Sequence, residues 1–216
     1  TLAHQLKEKF ANSTILIIDK EKKLGLHSSG RNSGILHAGI YYKPNSLRAD
    51  VCVKGRKRLL NWCEINNVNI LKCGKVIAPQ DISLDSQLDL LFERGTKNGA
   101  EISFINEKEF LRLVPFGRTA SGRALWSPHT SVVDPKEVVR KLEIDLRNKG
   151  VKFLLDEKID LIKKNKNSII CSRKINYGFF FNCAGLFADE IAKKFGINSN
   201  VALLPFKGSY WKLSKR

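Results

Sequence analysis

The sequence has no methionine among its 216 residues, so Thr1 is not an initiator residue. The opening stretch TLAHQLKEKF already follows a helical pattern with no cap before it, and the closing residues LSKR come just after an apolar run. We therefore expect the chain to be an internal part of a longer protein, incomplete at both ends.

Long hydrophobic runs are also missing. No apolar stretch approaches the ~20 residues of a membrane span, and the first residues lack the layout of a signal peptide. The five cysteines form neither a metal-binding pattern nor an even disulfide framework. Reduced thiols suit a cytosol. We predict no bound metal and a cytoplasmic protein, with a peripheral place at the inner face of a membrane as the alternative.

Acidic residues are few, and the formal net charge is +17. Such a charge raises the possibility of a nucleic-acid partner. The basic residues are nevertheless scattered along the chain, and the densest group, KGRKR at 54–58, leads into Leu59, Leu60 and Trp62 at helical spacing. The charge therefore indicates solvated helix faces, and we predict no nucleic-acid partner.

Hydrophobic residues make up 43 % of the chain, which excludes a disordered protein. Periodicity and caps predict helices over 1–10, 46–66, 83–99, 107–115, 134–150 and 187–196. Apolar runs predict strands over 14–19, 71–79, 102–105, 124–127, 151–155, 159–163, 168–172, 177–185 and 207–213. Strands that alternate with helices indicate a layered α/β fold, in which the block 70–127 could be an inserted second domain.

An acid follows the first apolar strand, and a loop rich in glycine and serine comes soon after it. In dinucleotide-binding βαβ units, an acid at the position of Asp19 hydrogen-bonds the ribose hydroxyls. A strand-end acid that faces water is the alternative. The small residues at 28–34 would let backbone N–H groups approach phosphates, and Arg31 adds a positive charge.

Bulky polar groups follow that loop, next to small residues. His37, Tyr41 and Tyr42 suit the wall of a pocket that faces a planar ring, although a buried structural histidine would show the same spacing. Later, FNCAG at 181–185 predicts a strand that runs into small residues and a helix, where a nucleotide could lie against the backbone. A tight strand-to-helix turn is the alternative there.

Together these residues resemble the D-amino-acid-oxidase-like family of FAD-dependent oxidoreductases. The matching segments are HSSGRNSGILHAGIYY (27–42), Pro44, Ser46-Leu47, Val53 to Gly55, Cys73-Gly74-Lys75, Asn182 to Leu186 with Ala188-Asp189, and Pro205 to Gly208. The first run is long and specific, the others are moderately so, and their order agrees over essentially the whole chain.

The resemblance implies a Rossmann-like FAD-binding domain of the GR2/DAO type with an inserted α+β substrate domain. The implied division gives 1–70 and 128–200 to FAD binding, 71–127 to the substrate domain and 201–216 to the start of a second substrate segment. It also implies that the glycine fingerprint GxGxxG lies before Thr1.

The resemblance implies FAD as the cofactor and assigns its contacts. Asp19, where the family usually has Glu, would bind the adenosine ribose, and Ile159 would meet the adenine through its backbone. Ala184 and Gly185 would close over the nucleotide. The pyrophosphate and flavin would be lined by Ser28, Ser29, Arg31, Asn32 and Ser33. Arg31 stands where close relatives often have His.

Within the family, the chain is most similar to the branch that oxidises L-2-hydroxyglutarate to 2-oxoglutarate. That reaction passes a hydride from C2 to flavin N5 while a base takes the hydroxyl proton. His37 is the candidate base, with a base from another part of the longer protein as the alternative. The substrate, a 2-hydroxydicarboxylate, would contact Tyr41, Lys43, Arg48 and Lys207.

Other assignments stay open at this point. Another 2-hydroxy acid, glycerol 3-phosphate or an amino acid is the alternative substrate within the family, and a basic nucleic-acid-binding module is the remote alternative. The electron acceptor could be oxygen, a membrane quinone or a carrier protein.

Overall fold

The computed structural model describes residues 1–163, 167–197, 202–206 and 208–209. They form two compact units. Unit 1 comprises Thr1–Ser13 and Gly25–Lys149, and unit 2 comprises Thr14–Leu24 and Gly150–Arg216. Helices and strands alternate along the described residues, which confirms the α/β class. The predicted boundaries between cofactor and substrate domains stay a prediction.

Unit 1 contains most of the helices and two antiparallel sheets. Its helices are α1 (Leu2–Lys9), α2 (Leu47–Ile65), α3 (Asp85–Lys97), α4 (Glu107–Leu113) and α5 (Pro135–Asn148). Its strands are β2 (Ile35–Leu36), β3 (Ile70–Leu71), β4 (Lys75–Ile77), β5 (Ser103–Asn106), β6 (Arg123–Ser127) and β7 (Ser131–Val133). They pair in the orders β2-β7-β3 and β4-β6-β5.

Unit 2 contains a parallel pair of strands and an antiparallel sheet. Strand β1 (Leu16–Ile18) pairs with β8 (Lys152–Leu154) in parallel. Strands β9 (Leu161–Lys163), β10 (Ser168–Ile170) and β11 (Lys174–Asn176) form the antiparallel sheet β11-β10-β9. A short 3₁₀ turn, Gly185–Phe187, leads into α6 (Ala188–Lys194).

Local sequence signals account for the helix starts. The Ser46 hydroxyl accepts a hydrogen bond from the Ala49 N–H at 3.2 Å and caps α2. Asp134 caps α5, and Pro135 takes its first position, where a missing N–H costs nothing. Asn106 and Glu109 form a reciprocal capping box on α4. All six predicted helices are present within a few residues of their expected ends.

Two apolar clusters make the core of unit 1. One joins α2, α5 and the first sheet through the buried side chains of Leu36, Cys63, Val68, Val133 and Val138. The other joins α4 to β5 and β6 through Ile105, Phe110 and Ala124. Burial of aliphatic and aromatic side chains at about 25 cal/mol per Å² is the main stabilising contribution in such clusters.

A salt-bridge cluster fixes α3 against β6. The Arg123 guanidinium donates to the Asp85 carboxylate at 2.6 Å and to that of Asp89 at 2.8 Å. These bonds hold the pKa of Asp85 at about 2, because the guanidinium favours the ionised carboxylate. The second sheet and α3 are thereby held in one orientation.

The structure corrects the strand predictions at several places. The stretch 71–79 is divided into β3 and β4, because Gly74 turns the chain with a φ of +68°. Strands β2, β7 and β11 were not expected. The segment 177–185 was expected as a strand but has no regular structure before the 3₁₀ turn, and Phe179 is 88 % exposed. A strand forms only where another strand pairs with it, and no described strand pairs with this segment.

The strand predicted over 207–213 falls almost wholly outside the described residues, and Lys207 lies outside them. Among the helices of the described part, none is long and apolar enough to cross a membrane. No group of three or more metal-binding side chains occurs in the described ranges either.

Candidate functional site

The loop 27–34 of unit 1 is shaped by the side chain of Asn32. Its amide Nδ2 donates to the carbonyl oxygens of Ser28 at 3.0 Å and Ser29 at 3.1 Å. Its Oδ1 accepts from the Gly34 N–H at 2.9 Å. Both ends of the amide therefore bind the loop itself, and Asn32 fixes the loop in addition to the lining role expected of it.

Two glycines let the same loop pack closely. A Cβ on Gly30 would lie 2.0 Å from the Gly25 carbonyl oxygen, and one on Gly34 would lie 2.0 Å from that of Val133. Gly34 also has a φ of +68°, which favours glycine. The side chains of Ser28, Ser29 and Arg31 are exposed on this loop, while Ser33 is partly buried and its hydroxyl accepts from the Ile35 N–H at 3.4 Å.

The next loop, 37–42, is held from a distance by Asn98 at the end of α3. The Asn98 amide donates to the carbonyl oxygens of Gly39 and Tyr42, each at 2.8 Å. Ala38, Gly39 and Ile40 are buried. The loop is thus anchored from a residue in the block predicted to form the substrate domain.

His37, Tyr41 and Lys75 form a cluster on this loop and on β4. The rings of His37 and Tyr41 meet edge to face, with their centroids 5.9 Å apart. The Lys75 ammonium donates a short hydrogen bond to the Tyr41 hydroxyl and lies 4.4 Å from the centre of its ring. Burial, and to a smaller extent the Lys75 charge, lowers the pKa of His37 below 6.5. Both effects favour the neutral form of the His37 imidazole.

The residue before Lys75 sets its position. A Cβ on Gly74 would lie 1.9 Å from the Trp126 ring, so this ring packs directly on the glycine backbone. The Gly74 N–H donates to the Thr130 carbonyl at 2.9 Å. The buried hydroxyls of Ser127 and Thr130 are bonded to each other at 3.0 Å and support that turn.

The predicted substrate cations Lys43 and Arg48 lie near the start of α2. Lys43 lines an open groove of about 580 Å³ between the 43–45 turn and α3. The other basic residues that line this groove are Arg94 and Lys97 of α3. His37 is not among the residues lining this groove. Arg48 is exposed in the first turn of α2. The structure therefore brings His37 and Tyr41 together with Lys75 and places Lys43 in a separate groove.

In unit 2, Asp19 follows β1 at the carboxyl end of the parallel pair. Its N–H donates to the Leu154 carbonyl at 3.0 Å, which continues the pairing with β8. Its carboxylate accepts from the Glu21 N–H at 2.9 Å, a local turn that orients the side chain. The carboxyl edge of parallel strands is where open α/β sheets bind ligands.

The other residues predicted in unit 2 lie between β8 and β9 and at the 3₁₀ turn before α6. The Ile159 carbonyl accepts from the Lys194 ammonium of α6 at 2.5 Å, so its oxygen has a protein partner. Asn182 holds the 3₁₀ turn, because its Oδ1 accepts from the Ala184 N–H at 3.2 Å and its Nδ2 donates to the Ala188 carbonyl at 2.7 Å. A Cβ on Gly185 would meet open space. The roles of these residues toward a nucleotide stay a prediction.

Lys75 and Asn98 are candidate functional residues that the sequence pattern does not single out. Lys75 was visible as part of the Cys73-Gly74-Lys75 match, but its distance from His37 along the chain concealed their contact. Asn98 had no signal beyond its place at the end of a helix. Both act through contacts that join distant parts of the chain.

The chemistry of the donor set in each unit fits FAD. In unit 1, the exposed hydroxyls of Ser28 and Ser29 and the Arg31 guanidinium are donors suited to phosphate. In unit 2, the Asp19 carboxylate is an acceptor suited to two ribose hydroxyls. The parallel pair with a terminal acid and a glycine-rich loop define an α/β protein of the dinucleotide-binding class.

Comparison with known families agrees with this class and narrows it. The family model "FAD dependent oxidoreductase" (DAO) matches residues 1–216. The chain therefore belongs to the DAO family of FAD-dependent oxidoreductases, which confirms the resemblance and FAD as the family's cofactor.

Relatives and solved structures are consistent with that assignment. An L-2-hydroxyglutarate dehydrogenase, named as mitochondrial, from Caenorhabditis briggsae is 35% identical over 96% of this chain and 50% of its own length. One from Indibacter alkaliphilus is 32% identical over 98% and 54%. L-α-glycerophosphate oxidase from Mycoplasma pneumoniae with FAD bound has a TM-score of 0.72 at 22% identity, over 82% of this chain and 49% of that one.

The chain spans about half the length of the curated relatives it matches. The structural likeness to the glycerophosphate oxidase shows the shared fold. The cytoplasmic location stays a prediction.

Proposed function

We propose that the protein containing this chain oxidises L-2-hydroxyglutarate to 2-oxoglutarate. The observation that carries the proposal is the similarity to L-2-hydroxyglutarate dehydrogenases along almost the whole chain. The cluster of His37, Tyr41 and Lys75 supports it, since it combines an uncharged base with a cation suited to an acidic substrate.

The residues of this chain would act on the substrate's proton and charges. FAD, when bound, supplies an acceptor for the two electrons of the oxidation. An unprotonated ring nitrogen of His37 accepts the proton of the C2 hydroxyl, which its lowered pKa permits at neutral pH. Tyr41 packs against the imidazole and limits its orientations. The substrate contacts of Lys43 and Arg48 stay predictions from the sequence, and Lys43 lines a groove that does not include His37.

Flavin absorbance of the whole, FAD-loaded protein tests the substrate. Anaerobic L-2-hydroxyglutarate should bleach the flavin band and yield 2-oxoglutarate. The D enantiomer, other 2-hydroxy acids, glycerol 3-phosphate and glycine should bleach it far more slowly. Faster bleaching by glycerol 3-phosphate or by an amino acid would replace the proposed substrate, and no bleaching by any of them would refute the proposal.

Substitution of His37 tests the base. We expect His37→Gln to slow bleaching by about 10²- to 10⁴-fold, the usual contribution of a positioned general base. His129→Gln is the matched control, because His129 is an exposed histidine of the same unit that pairs with Glu101. A His37→Gln variant that loads FAD and bleaches at the wild-type rate would show that the base is a residue in another part of the protein.

A further inference from the structure

Lys75 makes different contacts from those lysines of unit 1 that pair with carboxylates. Lys54, Lys72, Lys97 and Lys149 each form an ion pair with a carboxylate, at 2.5–3.2 Å. Lys75 instead contacts the hydroxyl and ring of Tyr41, and none of the ion pairs within the described residues includes it. Its positive charge is therefore uncompensated next to an uncharged imidazole and a phenol.

A cation in that setting can bind an anion at little cost. An ammonium group has three donors, and the Tyr41 hydroxyl takes one of them. The other donors can make charge-assisted hydrogen bonds, which are stronger than neutral ones. The bond to Tyr41 also restricts the lysine side chain before any ligand arrives, which reduces the entropy lost on binding.

We propose that Lys75, held by Tyr41, binds the substrate carboxylate that is attached to the reacting carbon. The inference rests on the proposed function, because it takes His37 as the base for the C2 hydroxyl. That hydroxyl and the C1 carboxylate share one carbon, so the cation for the carboxylate must lie close to the base. Lys75 meets this condition through Tyr41, which contacts both residues.

The proposal makes Lys75 a determinant of substrate class. A carboxylate next to the carbinol carbon is common to all 2-hydroxy acids, whether or not they carry a second carboxylate. Loss of the Lys75 charge should therefore weaken the binding of monocarboxylates and of dicarboxylates by the same factor. A cation for the distal carboxylate would instead affect only the dicarboxylates.

The test uses the whole, FAD-loaded protein and unreactive ligands. Propionate and glutarate lack the C2 hydroxyl, so their dissociation constants can be measured from the change in flavin absorbance without turnover. We expect Lys75→Met to raise the dissociation constants of both ligands by about 10- to 100-fold, as for loss of a hydrogen bond to a charged group. KM for L-2-hydroxyglutarate and L-2-hydroxybutyrate should rise by the same factor, with a smaller change in kcat.

Two further variants serve as comparisons. Lys72→Met removes the same charge three residues earlier, where Lys72 pairs with Glu64 on the surface, and should leave all these constants within about twofold. Lys75→Arg keeps the charge and should retain part of the binding. Lys75→Gln gives the same comparison if the Met variant does not load FAD.

The outcomes separate this inference from the proposed function. Unchanged carboxylate affinity in Lys75→Met and Lys75→Gln, a loss confined to glutarate, or a wild-type protein that binds neither carboxylate would overturn the inference. If carboxylate binding depends on Lys75 but L-2-hydroxyglutarate is not oxidised, the inference stands and the substrate assignment falls.

Discussion

At the scale of single residues, His37 is subject to two effects of the same sign. Its partial burial disfavours the charged imidazolium, and the Lys75 ammonium repels it, so both lower the pKa. The phenol of Tyr41 also contacts the His37 ring, and the thiol of Cys52 donates to the His37 carbonyl at 3.4 Å. Burial raises the pKa of the Cys52 thiol, which keeps it protonated.

The acid limb of the pH–rate profile should report this arrangement. The base works only when neutral, so kcat/KM falls as the pH drops through the pKa of His37. Lys75→Met removes a repelling charge, so the pKa should rise toward 6.5 and the limb should move to higher pH. Lys72→Met should leave the limb in place. A limb that stays fixed or moves to lower pH in Lys75→Met would contradict this account.

Gly74 offers a second prediction at this scale. Gly74→Ala would place a methyl group 1.9 Å from the Trp126 ring at a φ of +68°. We expect the free energy of unfolding to fall by about 1–3 kcal/mol because of overpacking. The positive φ should cost about 1 kcal/mol more, because alanine disfavours that backbone conformation. Gly122→Ala has a φ of +73° with open space, so it measures the backbone cost alone. Equal urea midpoints for the two variants would show that the Trp126 ring accommodates the added methyl group without loss of stability.

At the scale of elements, the ends of helices were predictable because their signals are local. Ser46, Asn106 and the Asp134-Pro135 pair each bond or constrain backbone groups within four residues, so neighbouring letters suffice to find them. Strands depend on partners far away in sequence. The segment 177–185 has the composition of a strand, but composition cannot supply the neighbour that a strand requires.

The cap of α2 gives a prediction for an element. Ser46→Ala removes the acceptor of the Ala49 N–H and the donor to the Lys43 carbonyl, which is 2.6 Å away. We expect a loss of about 0.5–2 kcal/mol in the free energy of unfolding. Ser46→Thr keeps both groups and should recover most of it. A thermal midpoint unchanged in Ser46→Ala would mean that packing alone fixes the start of α2.

At the scale of the whole molecule, the predicted FAD contacts are distributed over two units. Asp19, Ile159, Ala184 and Gly185 belong to unit 2, and the residues of the 28–33 loop belong to unit 1. The chain passes between the units three times. It starts in unit 1, forms the first part of unit 2 over Thr14–Leu24, returns to unit 1 at Gly25 and enters unit 2 again at Gly150. Its 216 residues contain no GxGxxG segment, the motif that binds the pyrophosphate of a dinucleotide.

The absence of the GxGxxG motif from these 216 residues leads to a prediction about FAD binding. We expect the isolated 216-residue chain to show no measurable affinity for FAD, because the phosphate-binding turn contributes both backbone donors and a helix dipole. Equilibrium dialysis against FAD, with the whole protein as the positive control, measures this. A dissociation constant in the micromolar range for the isolated chain would contradict the expectation.

The sequence by itself determined the family, the cofactor class and the helices. These depend on residue types at fixed short spacings, as in the 27–42 run and the helix caps, and such spacings are preserved when the chain folds. Only the tertiary structure decided that Lys75 contacts Tyr41 beside His37 and that Asn98 anchors their loop. Those contacts join residues 34 and 59 positions apart, and such proximity arises only when α3 and β4 pack against the loop.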